Sequence, residues 1–155
     1  MSSAEHHRSA SVKTTEALGQ TLAGQLRAGD VVLLEGDLAA GKTTFVRGLL
    51  RGLGGDSDTV SSPTFVIIQS YDCSAWGIRV VHHVDLYRLG EGLAALREVG
   101  LEEVLSDDDA VVAVEWPKDT IANWLPADAR TWRVKFTTQE NDSRRIEVHP
   151  PGNQF

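Results

Sequence analysis

A single cysteine, Cys73, stands in the 155-residue chain. That excludes an intrachain disulfide and fits a reducing compartment, so the cytoplasm is the expected location. Cys73 itself reads as a small, half-buried side chain. No apolar run approaches the roughly 20 residues of a membrane span, and the N-terminus lacks the apolar core of a signal peptide. No membrane association is expected. Basic residues are also scarce: 15 Lys and Arg against 22 Asp and Glu leave a net charge of -7. Such a chain does not attach broadly to DNA, to RNA or to an anionic membrane. Without a basic stripe interleaved with aromatics, any contact with RNA is local or made through a partner. There is no internal repeat and no low-complexity segment. The length suits one domain without an added lid. Residues 11–150 are expected to form it, between a loose polar tail at 1–10, containing His6-His7-Arg8, and a short tail at 151–155.

What is present is the stretch Gly36-Asp37-Leu38-Ala39-Ala40-Gly41-Lys42-Thr43. It fits the phosphate-loop pattern G-x-x-x-x-G-K-[ST]. The apolar, β-branched run Val31–Glu35 precedes it, and Phe45, Leu49 and Gly52 follow at helical spacing. A buried strand, a glycine turn and a helix N-terminus are what the pattern needs. Gly36 lets the chain leave the strand in a tight curl, and Gly41 lets backbone approach a phosphate with no Cβ in the way. The N–H groups of residues 39–44 (Ala39, Ala40, Gly41, Lys42, Thr43 and Thr44) then form an anion nest at the positive end of a helix. Lys42 adds a charge for the terminal phosphates, and the Thr43 hydroxyl suits Mg²⁺. The expected ligand is a nucleoside triphosphate.

Elsewhere, Leu18, Leu22 and Leu26 recur every four residues, which predicts a helix from about Thr14, with Thr14 or Thr15 as cap and Gly29-Asp30 as stop. Residues 52–58 read as a loop. Val60-Ser61-Ser62-Pro63-Thr64 leads into a β-rich run over Phe65–Tyr71, with Ser62 held extended by Pro63. Asp72–Ile78 reads as a hairpin connection, Arg79–Asp85 as a strand, and residues 90–105 as short helices. Asp107-Asp108-Asp109 reads as a solvated turn. Ala110–Glu115 is the clearest buried strand, and residues 120–125 have room for a helical turn after Pro117. Trp132, Val134 and Phe136 alternate, as do Ile146 and Val148, so the chain is expected to end in an antiparallel hairpin. The architecture predicted is α/β and P-loop NTPase-like, a mainly parallel central sheet flanked by helices, with ligands at the carboxyl ends of the strands.

Hydrolysis or transfer needs a second acid to hold the metal and a group to orient the attacking atom. Asp85 and Glu115 both stand where apolar strands end, and in a parallel sheet both open on the edge that carries the phosphate loop. His83, two residues before Asp85, shares its strand face. A packed imidazole and a hydrogen bond into the site both remain open for it, whereas His82 and His83 face opposite ways and do not make a zinc pair.

Gly36–Thr44, Ser62-Pro63-Thr64-Phe65, His83-Val84-Asp85-Leu86-Tyr87-Arg88-Leu89 and Glu115-Trp116-Pro117 follow in the order and spacing of the bacterial TsaE (YjeE) family, which the chain resembles from about residue 14 to 125. The resemblance implies a small ATPase, with ATP and Mg²⁺ as ligands, needed for the tRNA modification threonylcarbamoyladenosine. It implies work with the proteins TsaB and TsaD, which modify the adenosine beside the anticodon, and contact with tRNA only through that complex. By the same resemblance residues 39–44 bind phosphate, and Thr43 and Glu115 ligate Mg²⁺. Asp85 activates or orients the water, or holds a metal-bound water. Ser62–Phe65 corresponds to a first switch, and Trp116 stands in a second. Ala39 departs from the glycine usual in the family, which bears on the loop's conformation. Two other readings stand beside this one. A small-molecule kinase also uses a phosphate loop, although no lid-length insert is present. A GTP-operated binding module is disfavoured by the absence of an N-K-x-D pattern.

Overall fold

The computed structural model describes residues 4–36, 41–60, 68–86, 100–115, 125–126 and 128–152. In chain order the elements are β1 (Glu5–Ser9), α1 (Val12–Ala23), β2 (Val31–Gly36), α2 (Lys42–Gly52), a 3-10 turn at Ser57–Thr59, β3 (Ile68–Ala75), β4 (Ile78–Asp85), α3 (Leu101–Leu105), β5 (Ala110–Glu115), β6 (Thr131–Thr138), a second 3-10 turn at Glu140–Asp142, and β7 (Arg144–His149). The seven strands make one sheet in the order β1-β7-β6-β2-β5-β4-β3.

The predicted sheet was mainly parallel; the sheet observed is mixed. Its centre, β6-β2-β5-β4, is parallel throughout, while β7, β1 and β3 join antiparallel at the margins. Parallel neighbours need long crossovers and tight turns make antiparallel ones, so both hairpins of the chain end up at the sheet's flanks. Trp76 and Gly77 turn β3 into β4 with φ of 31° and 89°, the doubly positive geometry that a two-residue hairpin loop demands. The expected connection Asp72–Ile78 is therefore mostly strand. The C-terminal hairpin forms as predicted, but β6 also pairs with β2 and so belongs to the core sheet.

Two further expectations are corrected. The supposed loose tail over residues 1–10 contains β1, which pairs with β7 from Glu5↔Val148 to Ser9↔Arg144. An edge strand is held by backbone hydrogen bonds, so polar side chains do not prevent it, and it covers the open edge of β7. Helix α1 is capped by Ser11, whose hydroxyl accepts from the Thr14 N–H at 3.1 Å. The helix stops at Ala23, ahead of Gly29-Asp30, and Leu26 is buried in the turns beyond it. Asp30 acts instead as a buried clamp: it accepts from the Arg27 N–H and the Trp132 indole, both at 3.0 Å, and pairs with Arg130 at 3.4 Å.

Both faces of the sheet are covered, which is why β5 is buried at every position. Val32 and Leu34 pack with Phe45, Val46, Leu49 and Leu22 on the α1–α2 face, and Val31 and Leu33 pack with Leu101 and Leu105 of α3 on the other. Each such fully buried aliphatic or aromatic side chain contributes about 1.5–3 kcal/mol. Helices α1 and α2 meet through small residues. A Cβ on Gly19 would lie 2.3 Å from the Phe45 carbonyl oxygen, and one on Gly48 2.0 Å from that of Glu16. Gly52 faces Ala23 in the same seam. Small residues four apart on each helix let the backbones approach more closely than larger side chains allow. No helix among the described residues is long and apolar enough to cross a membrane.

Candidate functional site

Strands β2, β4 and β5 run parallel and end together. Leu34 and Asp85 each stand beside Glu115 in the register, and β2 continues two residues further, to Gly36. Sheet neighbours in register share a face, so Asp85, His83 and Glu115 lie on the face that α2 covers. Gly36 has a φ of 152°, and a Cβ there would sit 2.7 Å from the Phe136 carbonyl oxygen. Only glycine fits that exit from the strand.

Helix α2 starts at the same edge. Gly41 is its N-cap, left-handed at φ 104°, with no side chain to cap the turn, and no acid stands in the first turn. The first helical bond runs from the Phe45 N–H to the Gly41 carbonyl at 2.9 Å. The N–H groups of Thr43 and Thr44 precede the first helical bond and stand at the positive end of the helix, the arrangement that receives an anion. Lys42 is buried, and its ammonium donates to the Gly36 carbonyl at 2.5 Å, joining the two ends of the glycine loop. One residue on, the Thr43 hydroxyl donates to Glu115 Oε2 at 2.9 Å. The same Oε2 is 2.5 Å from Nε2 of His83, a fully buried imidazole. The rings of His83 and Tyr71 are 6.5 Å apart.

Of the residues proposed from the sequence, Gly41, Lys42, Thr43, Thr44 and Glu115 thus come together around one helix start, with half-buried Asp85 beside Glu115. Ala39 and Ala40, Ser62–Phe65, Trp116 and Pro117, and the expected helices over residues 90–99 and 120–124 lie outside the described residues. Among the described residues no cluster of three or more His, Cys, Asp or Glu is arranged to hold a metal. The oxygens of Thr43 and Glu115 are the candidate metal donors, with Asp85 adjacent.

Two contacts escaped the reading of the sequence. Arg47, one turn beyond Thr43 on α2, donates to the Val60 carbonyl at 3.1 Å, just ahead of Ser61. Nothing in the spacing of an arginine and a valine 13 residues apart signals that bond. The second is the hydrogen bond between His83 and Glu115. The i, i+2 relation to Asp85 put His83 on the right face, but its partner comes from a strand 32 residues away.

Away from this edge, His82 bridges Ser70 and Asp107 at 2.7 and 2.9 Å. Its hydrogen bond holds the Asp107 carboxyl below the usual carboxylate range. Burial, helped by the charge of Asp72, pushes the Cys73 thiol up, as befits a packed cysteine rather than a nucleophile.

Sheet and site together define an open α/β protein with an anion-receiving helix start, a buried lysine and paired acids at the carboxyl edge of its parallel strands. Within that class the comparison with known proteins is specific: residues 9–146 match the family described as "Threonylcarbamoyl adenosine biosynthesis protein TsaE", and the chain belongs to that family. Among the relatives that carry the name tRNA threonylcarbamoyladenosine biosynthesis protein TsaE are two bacterial proteins. The one from Streptomyces coelicolor is 50% identical over 99 residues, 64% of this chain and 64% of its own length. The one from Bacillus subtilis is 34% identical over 148 residues, 96% of this chain and 87% of its own. The crystal structure of Bacillus subtilis YdiB superposes with a TM-score of 0.69 at 29% identity, covering 99% of this chain and 89% of that one.

Proposed function

We propose that this chain is a P-loop ATPase, Mg²⁺-dependent and cytoplasmic, whose hydrolysis of ATP supports threonylcarbamoyladenosine modification of tRNA by acting on the TsaB–TsaD transferase pair. The observation that supports this most is the convergence of buried Lys42, the uncapped start of α2 and the Thr43–Glu115 pair at one sheet edge.

Each residue has a task in this reading. Lys42 offers the terminal phosphates a charge that water barely screens. The backbone N–H groups of residues 39–44 take phosphate oxygens, with Ala39 and Ala40 included on the sequence pattern alone. Thr43 and Glu115 supply hard oxygen donors to Mg²⁺, and their spacing fits. Oγ1 and Oε2 are 2.9 Å apart, and adjacent ligands of an octahedral Mg²⁺, each at roughly 2.05 Å, stand about 2.9 Å from one another. When bound, Mg²⁺ neutralises charge on the phosphate oxygens. Asp85, next to Glu115 in register, orients the attacking water and accepts its proton. The net charge of -7 leaves contact with tRNA to the partner complex.

The test combines phosphate release with association. Incubation with Mg²⁺ and ATP is expected to give free phosphate, faster when TsaB and TsaD are present. A pull-down under ATP, ADP and no nucleotide is expected to show nucleotide-dependent capture of that pair. Phosphate appearing on a small acceptor instead would favour a kinase. Capture indifferent to nucleotide, with no phosphate released, would refute the proposal.

A further inference from the structure

We infer that His83 is a positioning residue that fixes the Glu115 carboxylate for the cation, an assignment that rests on the Mg²⁺–ATP reading above and deepens it. Three observations lead there. The imidazole is fully buried, and its Nε2 is 2.5 Å from Glu115 Oε2. That oxygen also receives the Thr43 hydroxyl. The other ring nitrogen, Nδ1, is buried with no hydrogen-bond partner among the described residues.

An ionised carboxylate only accepts, so Nε2 carries the proton and donates. One acceptor site of Oε2 is thereby occupied by His83, and the other, which takes the Thr43 hydroxyl, is the one a cation shared with Thr43 would use once that hydroxyl turns its hydrogen away. A glutamate side chain has three rotatable bonds, and a single hydroxyl from Thr43 leaves it free to swing toward solvent at the strand end. The imidazole comes from the neighbouring strand, rigidly spaced two register positions behind the Asp85↔Glu115 pair, on the same face. It removes that freedom and holds the carboxylate on the α2 face. The bare Nδ1 argues that the ring is more than filler. A leucine or phenylalanine would occupy the same space without leaving a buried polar atom unpaired. What the imidazole adds is its Nε2–H. Outer-shell partners of this kind orient metal-ligating carboxylates, and losing one costs about 10–100-fold in metal affinity or activity.

The test replaces His83 by Leu, Gln and Asn in the full chain, with Glu115→Ala alongside. The readout is the Mg²⁺ concentration giving half-maximal binding of an N-methylanthraniloyl ATP analogue whose β–γ bridge is a non-hydrolysable imido group, measured at equilibrium without turnover. Binding in EDTA serves as the reference, and thermal melting of each variant checks the fold. A glutamine places its amide N–H about where the imidazole Nε2 is, whereas an asparagine places it near Nδ1. His83→Leu and His83→Asn should raise the Mg²⁺ midpoint about tenfold or more, with little change in EDTA. His83→Gln should stay within about threefold of wild type. Should the leucine variant fail to fold, the Gln–Asn contrast carries the test. A shift in Glu115→Ala with none in His83→Leu or His83→Asn would overturn the role of His83 alone. No shift in Glu115→Ala would overturn the underlying metal assignment, and the role of His83 with it.

Discussion

Replacing Gly48 by alanine adds one methyl group to the seam between α1 and α2. The new Cβ would lie 2.0 Å from the Glu16 carbonyl oxygen and 2.8 Å from its carbon. Carbon and carbonyl oxygen settle no closer than about 3.3 Å, so the helices must part locally by about 1.3 Å. Both obstacles are backbone, and no side chain can rotate out of the way. Overpacking of this kind costs about 1–3 kcal/mol, with the upper end fitting so deep an overlap. Alanine returns up to about 1 kcal/mol of helix propensity, leaving a net loss of about 2 kcal/mol. For a domain of this size that lowers Tm by about 4–8 °C. Gly24→Ala is the control: its φ of -65° is ordinary, and its Cβ would find only the Thr21 carbonyl oxygen at 3.5 Å. That variant should match wild type or gain slightly. Urea denaturation and thermal melting by circular dichroism measure both, with an unchanged m-value expected. A Gly48→Ala protein that melts within 1 °C of wild type would show that the seam is looser than described.

Lys42→Ala is expected to weaken ATP binding ten- to a hundredfold, since a charge-assisted contact contributes about 1.5–3 kcal/mol; calorimetric titration checks this, and circular dichroism checks that the fold persists. Asp85→Ala should depress phosphate release much more than nucleotide affinity, whereas Glu115→Ala should raise the Mg²⁺ needed for binding. Identical metal titrations for both variants and wild type would contradict that division. Asp107 supplies a pH prediction. Its carboxyl is held low, chiefly by the hydrogen bond from His82, so its contribution to stability is present above the unfolded value of about 4 and is lost as the pH falls through the folded value. Asp107→Asn should therefore destabilise at pH 7 and flatten the decline in stability below about pH 4, as read from urea midpoints between pH 7 and pH 2.5.

Periodicity and local chemistry determined much of this protein from the sequence alone. The glycine loop, the apolar runs of β2 and β5 and the helical spacing after Lys42 are short-range signals, each dictated by what its own residues can bury or bend. The positions of Asp85 and Glu115 at strand ends were equally legible, because an acid that closes an apolar run marks the point where the strand leaves the core. Only the tertiary structure decided which strands lie side by side. Parallel or antiparallel pairing depends on how connections cross the sheet, so the pairing of β6 with β2 and the strand at Glu5–Ser9 had no signal in their own residues. Polar β1 exists because β7 presents an open edge. Asp30 looked like a helix stop, and burial beside Trp132 and Arg130 made it a clamp. Leu22 and Phe45 declared themselves as core, yet the closeness of α1 to α2 depends on Gly19 meeting a turn of helix 26 residues on. His83 is the same case at the site: the strand period chose its face, and the neighbouring strand supplied the carboxylate that gives the imidazole something to hold.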